Sequence, residues 1–231
     1  MSWTRTRKIL AALVVVLAGL GGAGVVLPPL LWGDHVDYSR VVSIKTTPEY
    51  QDPELLARAW ALPVAASYRP DLDFQGNGSF CGPTSVVNVL RSLGQTGSQA
   101  TVLDGTGLKT VFGGLPGGIT LDQVADVARK KLGRPVTVLR DLDLETFRKH
   151  LTLANDPGRR YLVNFTRGPL FGTGGGHHSP IGGYLVDRDL VFVLDVNRKY
   201  GPWLVKSERL YEAVNTVDRE TKKKRGLVLI E

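Results

Sequence analysis

With 231 residues, 42% of them hydrophobic and 8% aromatic, the chain is long enough to bury one substantial core and has an ordinary globular composition. Its formal charge of +7 would suit nucleic acid, but Arg5, Arg7 and Lys8 stand directly before an apolar run and set topology, so no nucleic-acid partner is expected. The single cysteine, Cys81, excludes an internal disulfide.

Residues 9–32 contain no charged side chain, a length sufficient to cross a bilayer as a helix, and Pro28 and Pro29 would end it. Basic residues ahead of the run predict a cytoplasmic N-terminus. The chain after Gly33 is then expected beyond a bacterial inner membrane, in the periplasm. A cleaved signal peptide also fits residues 1–33, but no convincing A-x-A site follows and a retained anchor is favoured. An exported lone thiol is an oxidation hazard, so Cys81 needs a reason to exist; the plain one is a small buried hydrophobe.

Residues 34–67, with Pro48, Pro53 and Pro63, read as a linker and a short helical lead-in over 54–61. Apolar residues at Val86, Val87, Val89, Leu90 and Leu93, closed by Gly94, predict a helix over 85–93, beginning just after Cys81. The glycine-rich stretch 113–118 is a loop that delivers Thr120 and Gln123 as a capping box for a helix over 121–132. A strand over 136–139 and a helix over 144–153 follow. Later residues turn to strands at 161–166, 179–186, 190–195 and 226–230, with one helix at 208–214 and a turn at Asp187-Arg188-Asp189. Helices first and a mostly antiparallel sheet later define an α+β domain over 68–231.

Gly82 permits close backbone approach and Pro83 suits a first helical turn, so Cys81 should sit at a helix N-terminus, where dipole and free N–H groups favour the thiolate. A cysteine nucleophile needs an imidazole, and the imidazole needs an acceptor to orient it. His177 and His178 enter one predicted strand and Asp195 ends the next. Strand alternation lets only one of the two histidines face the carboxylate. If Val186 opposes Leu190, that one is His177, but an offset of four residues leaves about 13 Å between them, unless a bulge at Gly182-Gly183 closes the gap. Adjacent strand histidines make a poor metal pair, so no metal-ligating residue is assigned, and the stretch 172–176 lacks the lysine-serine ending of a phosphate loop.

Two stretches, Phe80-Cys81-Gly82-Pro83-Thr84-Ser85 and Gly176-His177-His178-Ser179-Pro180-Ile181-Gly182-Gly183-Tyr184, resemble phytochelatin synthases, as does Leu194-Asp195-Val196-Asn197-Arg198 at the family's spacing from His177. The resemblance implies a papain-like fold with a nucleophile helix packed on the sheet and a Cys81-His177-Asp195 triad. It also implies an oxyanion-hole glutamine at Gln75, a role worth about 3 to 4 kcal/mol. By the same resemblance Arg167, Asp218 and Arg225, with Arg198 and Tyr200, would hold the γ-glutamyl-cysteinyl moiety, whose ammonium and carboxylate call for an acidic and a basic partner. His178 stands where the family usually has phenylalanine, Phe80 where it has tyrosine and Asn197 where it has alanine, and one residue is missing just before Tyr200.

The activity so implied is cleavage of the Cys-Gly bond of glutathione through a γ-Glu-Cys acyl-enzyme, passed to water or to a second glutathione. The expected partners are glutathione and related γ-glutamyl peptides and the membrane through residues 9–32, with a homodimer left open. No tightly bound cofactor is expected; cadmium or zinc would enter as a glutathione thiolate complex. The alternatives are a papain-like peptidase on another substrate, similar to bacteriocin-leader peptidases, and a non-catalytic membrane-tethered thiol or metal-binding module.

Overall fold

The computed structural model of the protein describes residues 36–69 and 72–231, so the expected anchor over 9–32 lies outside the described residues. No helix among the described residues is long and apolar enough to cross a membrane. The chain from Tyr38 to Glu231 forms one compact unit. Its helices are α1 (Pro53–Trp60), α2 (Pro63–Ala66), α3 (Cys81–Ser92), α4 (Leu121–Leu132), α5 (Leu144–Leu153), α6 (Gly168–Phe171) and α7 (Ser207–Val214). The strands are β1 (Val136–Leu139), β2 (Arg160–Thr166), β3 (Gly176–Leu185), β4 (Leu190–Leu194), β5 (Pro202–Lys206) and β6 (Leu227–Ile230). They build one six-stranded antiparallel sheet in the order β1-β6-β2-β3-β4-β5. The fold is therefore α+β.

Period-two alternation divides the sheet's side chains between two cores. Leu162, Phe192, Leu194, Leu204 and Val228 pack with Val86, Val87, Val89 and Leu90 of α3 and with Val124 and Val127 of α4. Their strand neighbours Val163, Phe165, Val191, Val193, Trp203 and Leu227 pack on the opposite face with Phe147 and Leu151 of α5 and Leu210 and Ala213 of α7. Both faces are covered, which is why the strands read as nearly continuous apolar runs.

Local signals set most element ends. Thr120 and Gln123 form the reciprocal capping box on α4, and Gly133 ends that helix in the left-handed conformation at φ 60°. Asp143 caps α5 by accepting from the Thr146 N–H. Three features differ from the sequence reading. The helix predicted over 85–93 starts at Cys81, because the first helical bond, from Thr84 N–H to the Phe80 carbonyl at 2.9 Å, does not depend on the apolar stripe that marked the helix. Strand β5 was not predicted: it is short and opens on Pro202, a residue tolerated here because β5 is an edge strand. The stretch read as a linker and lead-in over 34–67 is packed from Tyr38 onward, with Ala59, Val64 and Ala65 buried in the α3 core. The helical stretch expected over 54–61 is α1, with Pro53 in its first turn, and the short helix α2 that Pro63 opens was not expected.

The β3–β4 register corrects the expectation that Val186 opposes Leu190. Leu185 opposes Leu190 and Gly183 opposes Phe192, after which a bulge shifts the pairing to Ile181 opposite Val193. Without the bulge His177 and Asp195 would be an odd number of residues out of step and face opposite sides of the sheet. The extra residue restores parity and reduces the expected four-residue offset to two. Gly183 makes the bulge possible, with φ +151° and a position where a Cβ would lie 2.5 Å from Leu62 Cδ1. Gly183→Ala should destabilise the fold by about 1 to 3 kcal/mol and disturb the site; urea unfolding and Cys81 alkylation measured on the same sample check both effects.

Candidate active site

Three elements meet at Cys81. Helix α3 begins at this residue with no side-chain cap on its first turn, and Pro83 has no N–H to leave unpaired there. Gly82 lets that turn press on its neighbours, since a Cβ there would lie 2.7 Å from Ile119 Cγ1 and 2.8 Å from Val124 Cγ2. Strand β3 supplies His177 and His178, and the residue after β4 supplies Asp195. Cys81 is 7% exposed, both histidines 4% and Asp195 0%.

Asp195 is the most heavily bonded side chain of the group. Oδ1 accepts from His177 Nε2 at 2.9 Å and from the Asn197 N–H at 2.9 Å. Oδ2 accepts from Trp203 Nε1 at 3.1 Å and pairs with Arg167 Nη2 at 2.9 Å. Burial pushes the Asp195 carboxyl up, but His177, Arg167 and the Asn197 N–H hold it below its ordinary value. His177, and not His178, is the histidine bonded to Asp195, as strand alternation requires of a single face. Its ring packs edge-on against Phe165, the residue opposite it on β2, at 5.5 Å between centroids.

Burial pushes His177 down, yet the charge and hydrogen bond of Asp195, followed by those of Cys81, raise it above its ordinary value. Burial likewise pushes the Cys81 thiol up, and hydrogen bonds and charges from His177 and His178 outweigh it, so the thiol lies well below its ordinary value. The two shifts together favour a thiolate beside an imidazolium. The direct side-chain contact on Sγ is made by His178 Nδ1 at 3.8 Å, from the face of β3 opposite His177.

The segment carrying Gln75 is tied to this centre by its backbone: the Gln75 N–H donates to the Val196 carbonyl at 2.8 Å, and Asn88 on α3 bonds both polar groups of the Asp73 backbone. The Gln75 side-chain amide donates to the Asn77 carbonyl at 2.8 Å, while its oxygen is buried without a partner. Arg167 lies behind Asp195 with its guanidinium 3.7 Å from the Tyr200 ring centre, and its Nη1 is buried without a partner. Arg225 pairs with Asp218 at 2.9 Å and donates to Asn164 Oδ1 at 3.3 Å. It lies beside the histidine strand, because a Cβ on Gly176 would be 2.7 Å from Arg225 Nη1. Arg198 covers the Phe74 ring at 4.5 Å. Arg225 thus reaches the strand of His177 with Asp218 paired to it, whereas Arg198 contacts the Gln75 segment instead.

Sequence reasoning missed Trp203 as a partner of Asp195, because it lies on the strand that went unrecognised, and missed the contact of His178 with the thiol, because alternation assigned that residue to the other face. Among the described residues no group of three or more His, Cys, Asp or Glu side chains could hold a metal ion.

Antiparallel α+β architecture of this kind is shared with a putative C39-like peptidase from Bacillus anthracis, at a TM-score of 0.51 and 13% identity over 71% of this chain and 95% of that one. Residues 115–227 match the phytochelatin synthase family model. The chain is 40% identical over 117 residues to glutathione gamma-glutamylcysteinyltransferase 3 of Lotus japonicus, covering 49% of this chain and 24% of that protein. It is 31% identical over 117 residues to the Schizosaccharomyces pombe glutathione gamma-glutamylcysteinyltransferase, covering 49% and 28%. The chain thus spans about a quarter of the length of these curated relatives. His177 and Asp195 fall inside the matched stretch, while Gln75 and Cys81 precede it.

The electrostatics predict a pH effect with a definite sign. Asp195 raises His177, and charged His177 lowers Cys81, so Asp195→Asn should shift the appearance of the thiolate to higher pH. Iodoacetamide alkylation should then slow by about tenfold or more near neutrality and match the parent at alkaline pH, where any thiol is ionised.

Proposed function

We propose that the protein cleaves the Cys-Gly amide of glutathione through a γ-Glu-Cys thioester on Cys81. The observation that carries the reading is a buried thiol acidified by two imidazoles at a helix N-terminus, in a chain whose residues 115–227 match the phytochelatin synthase family model. The Cys81 thiolate attacks the cysteinyl carbonyl carbon; as the C–S bond forms, the carbonyl electrons move to oxygen. The Cys81 N–H and the Gln75 amide, turned from the Asn77 carbonyl, receive that charge. His177, held by Asp195, gives its proton to the glycine nitrogen as the C–N bond breaks.

A second nucleophile then enters and returns a proton to His177. Water gives γ-Glu-Cys, and the α-amine of a second glutathione gives a phytochelatin with one added γ-Glu-Cys unit. Asp218 and Arg225 would separate from each other to take the ammonium and carboxylate of the γ-glutamyl group, a reading supported by the position of Arg225 beside Gly176. Arg167 and Tyr200 form the wall behind Asp195, and Arg198 borders the Gln75 segment. Cadmium or zinc is cargo in this scheme, carried on substrate thiolates. The basic residues ahead of the uncharged run 9–32 support a membrane anchor that holds a catalytic domain in the periplasm.

Incubating the protein with glutathione, with and without cadmium, should release glycine, and product masses tell hydrolysis from transfer. Cys81→Ala should lower glycine release by at least about a thousandfold. A folded, alkylatable parent protein that releases no glycine under either condition would sink the substrate assignment.

A further inference from the structure

Strand alternation sends His177 and His178 to opposite faces of the sheet, yet both act on the same sulfur. His177 has its Nε2 committed to Asp195 at 2.9 Å. His178 has no carboxylate partner: its one side-chain partner among the described residues is Cys81 Sγ, 3.8 Å from Nδ1, and its Nε2 is buried with no partner. A histidine retained only to fill the core would be expected to satisfy its polar atoms within the core. Here the ring directs one nitrogen at the nucleophile and leaves the other unpaired, a burial cost that an apolar ring in the same place would avoid.

We propose that His178 is a second catalytic histidine, which donates its Nδ1–H to the Cys81 thiolate while His177 alone carries the proton. This deepens the acyl-enzyme reading above and rests on it. The proton balance is simple. Deprotonation of the thiol charges His177, whose imidazolium is stabilised by Asp195, and His178 neither gains nor loses a proton. As the S–C bond forms, sulfur loses its negative charge and the His178 hydrogen bond weakens; it regains that bond when the thioester is cleaved. Donation from Nδ1 fixes the tautomer, leaving Nε2 as a bare acceptor rather than a buried N–H without a partner. The ionisable groups acting on the sulfur are His177 and His178, with Asp195 behind His177 and Arg167 behind Asp195. Hydrogen bonds from both histidines act to lower the thiol.

Two variants and one measurement without a variant at His178 test the assignment. His178→Phe keeps a ring of similar size and removes the donor; His178→Asn places an amide N–H close to the Nδ1 position. The pH profile of iodoacetamide alkylation should move to higher pH in His178→Phe, with about tenfold slower alkylation near pH 6.5. It should return most of the way to the parent in His178→Asn. A folded His178→Phe protein with the parent profile overturns the proposal. Should His178→Phe fail to fold, ring-nitrogen NMR of the parent and of Cys81→Ala decides: the His178 Nδ1 resonance must shift when the sulfur is removed, and an unchanged resonance overturns the proposal. Alkylation requires no glutathione, so a shifted His178→Phe profile in a protein that releases no glycine would refute the substrate reading and leave the role of His178 intact.

Discussion

The site depends on a single buried carboxylate. Asp195 is removed from water, which would normally favour its protonated form, and it stays ionised because His177, Arg167, the Asn197 N–H and Trp203 all point donors at it. Each partner comes from a different place in the chain: β3, the residue after β2, the turn after β4, and the edge strand β5. The order of the sheet is therefore tied to the charge at its centre. An anion left in this position with one cation missing would be strongly destabilising, by about 3 to 5 kcal/mol for a pair of this kind.

From that carboxylate the electrostatics run outward in one direction. Asp195 raises His177, His177 with His178 lowers Cys81, and that thiol sits where helix α3 begins. The Arg167 guanidinium, on the far side of Asp195, is sandwiched by Tyr200 at 3.7 Å and lies 5.5 Å from the Phe165 ring that also flanks His177. Packing and charge thus reinforce each other around a small polar centre in an otherwise apolar interior. That is the setting in which hydrogen bonds to an ionised group carry most weight.

The glycines near the centre share one purpose, close approach. Gly82 admits Ile119 and Val124 against the nucleophile turn, Gly176 admits the Arg225 guanidinium beside His177, and Gly183 absorbs the bulge. A Cβ at any of them would lie under 3.0 Å from a neighbouring side chain, so that neighbour would have to move.

Much of this was legible in the sequence because it was local. The capping box of α4, the strand and helix that follow it and the α+β order come from periodicity and cap chemistry within about a dozen residues. Cys81, Asp195 and the pair His177-His178 likewise stood out by residue type and spacing, and the family resemblance chose His177 and added Gln75. Their arrangement was not local. Whether His177 or His178 meets Asp195 turns on a one-residue bulge, and a register read from the turn alone gave an offset of four residues instead of two. Strand β5 and the short helix α2 escaped notice for a similar reason: proline at an edge or in a first helical turn looks like loop until its neighbours are placed. The sequence by itself determined which side chains are available and the face parity within each strand. Only the tertiary structure decided that two histidines on opposite faces both reach one sulfur, because this depends on where helix α3 begins relative to the end of β3 and no spacing along the chain encodes it.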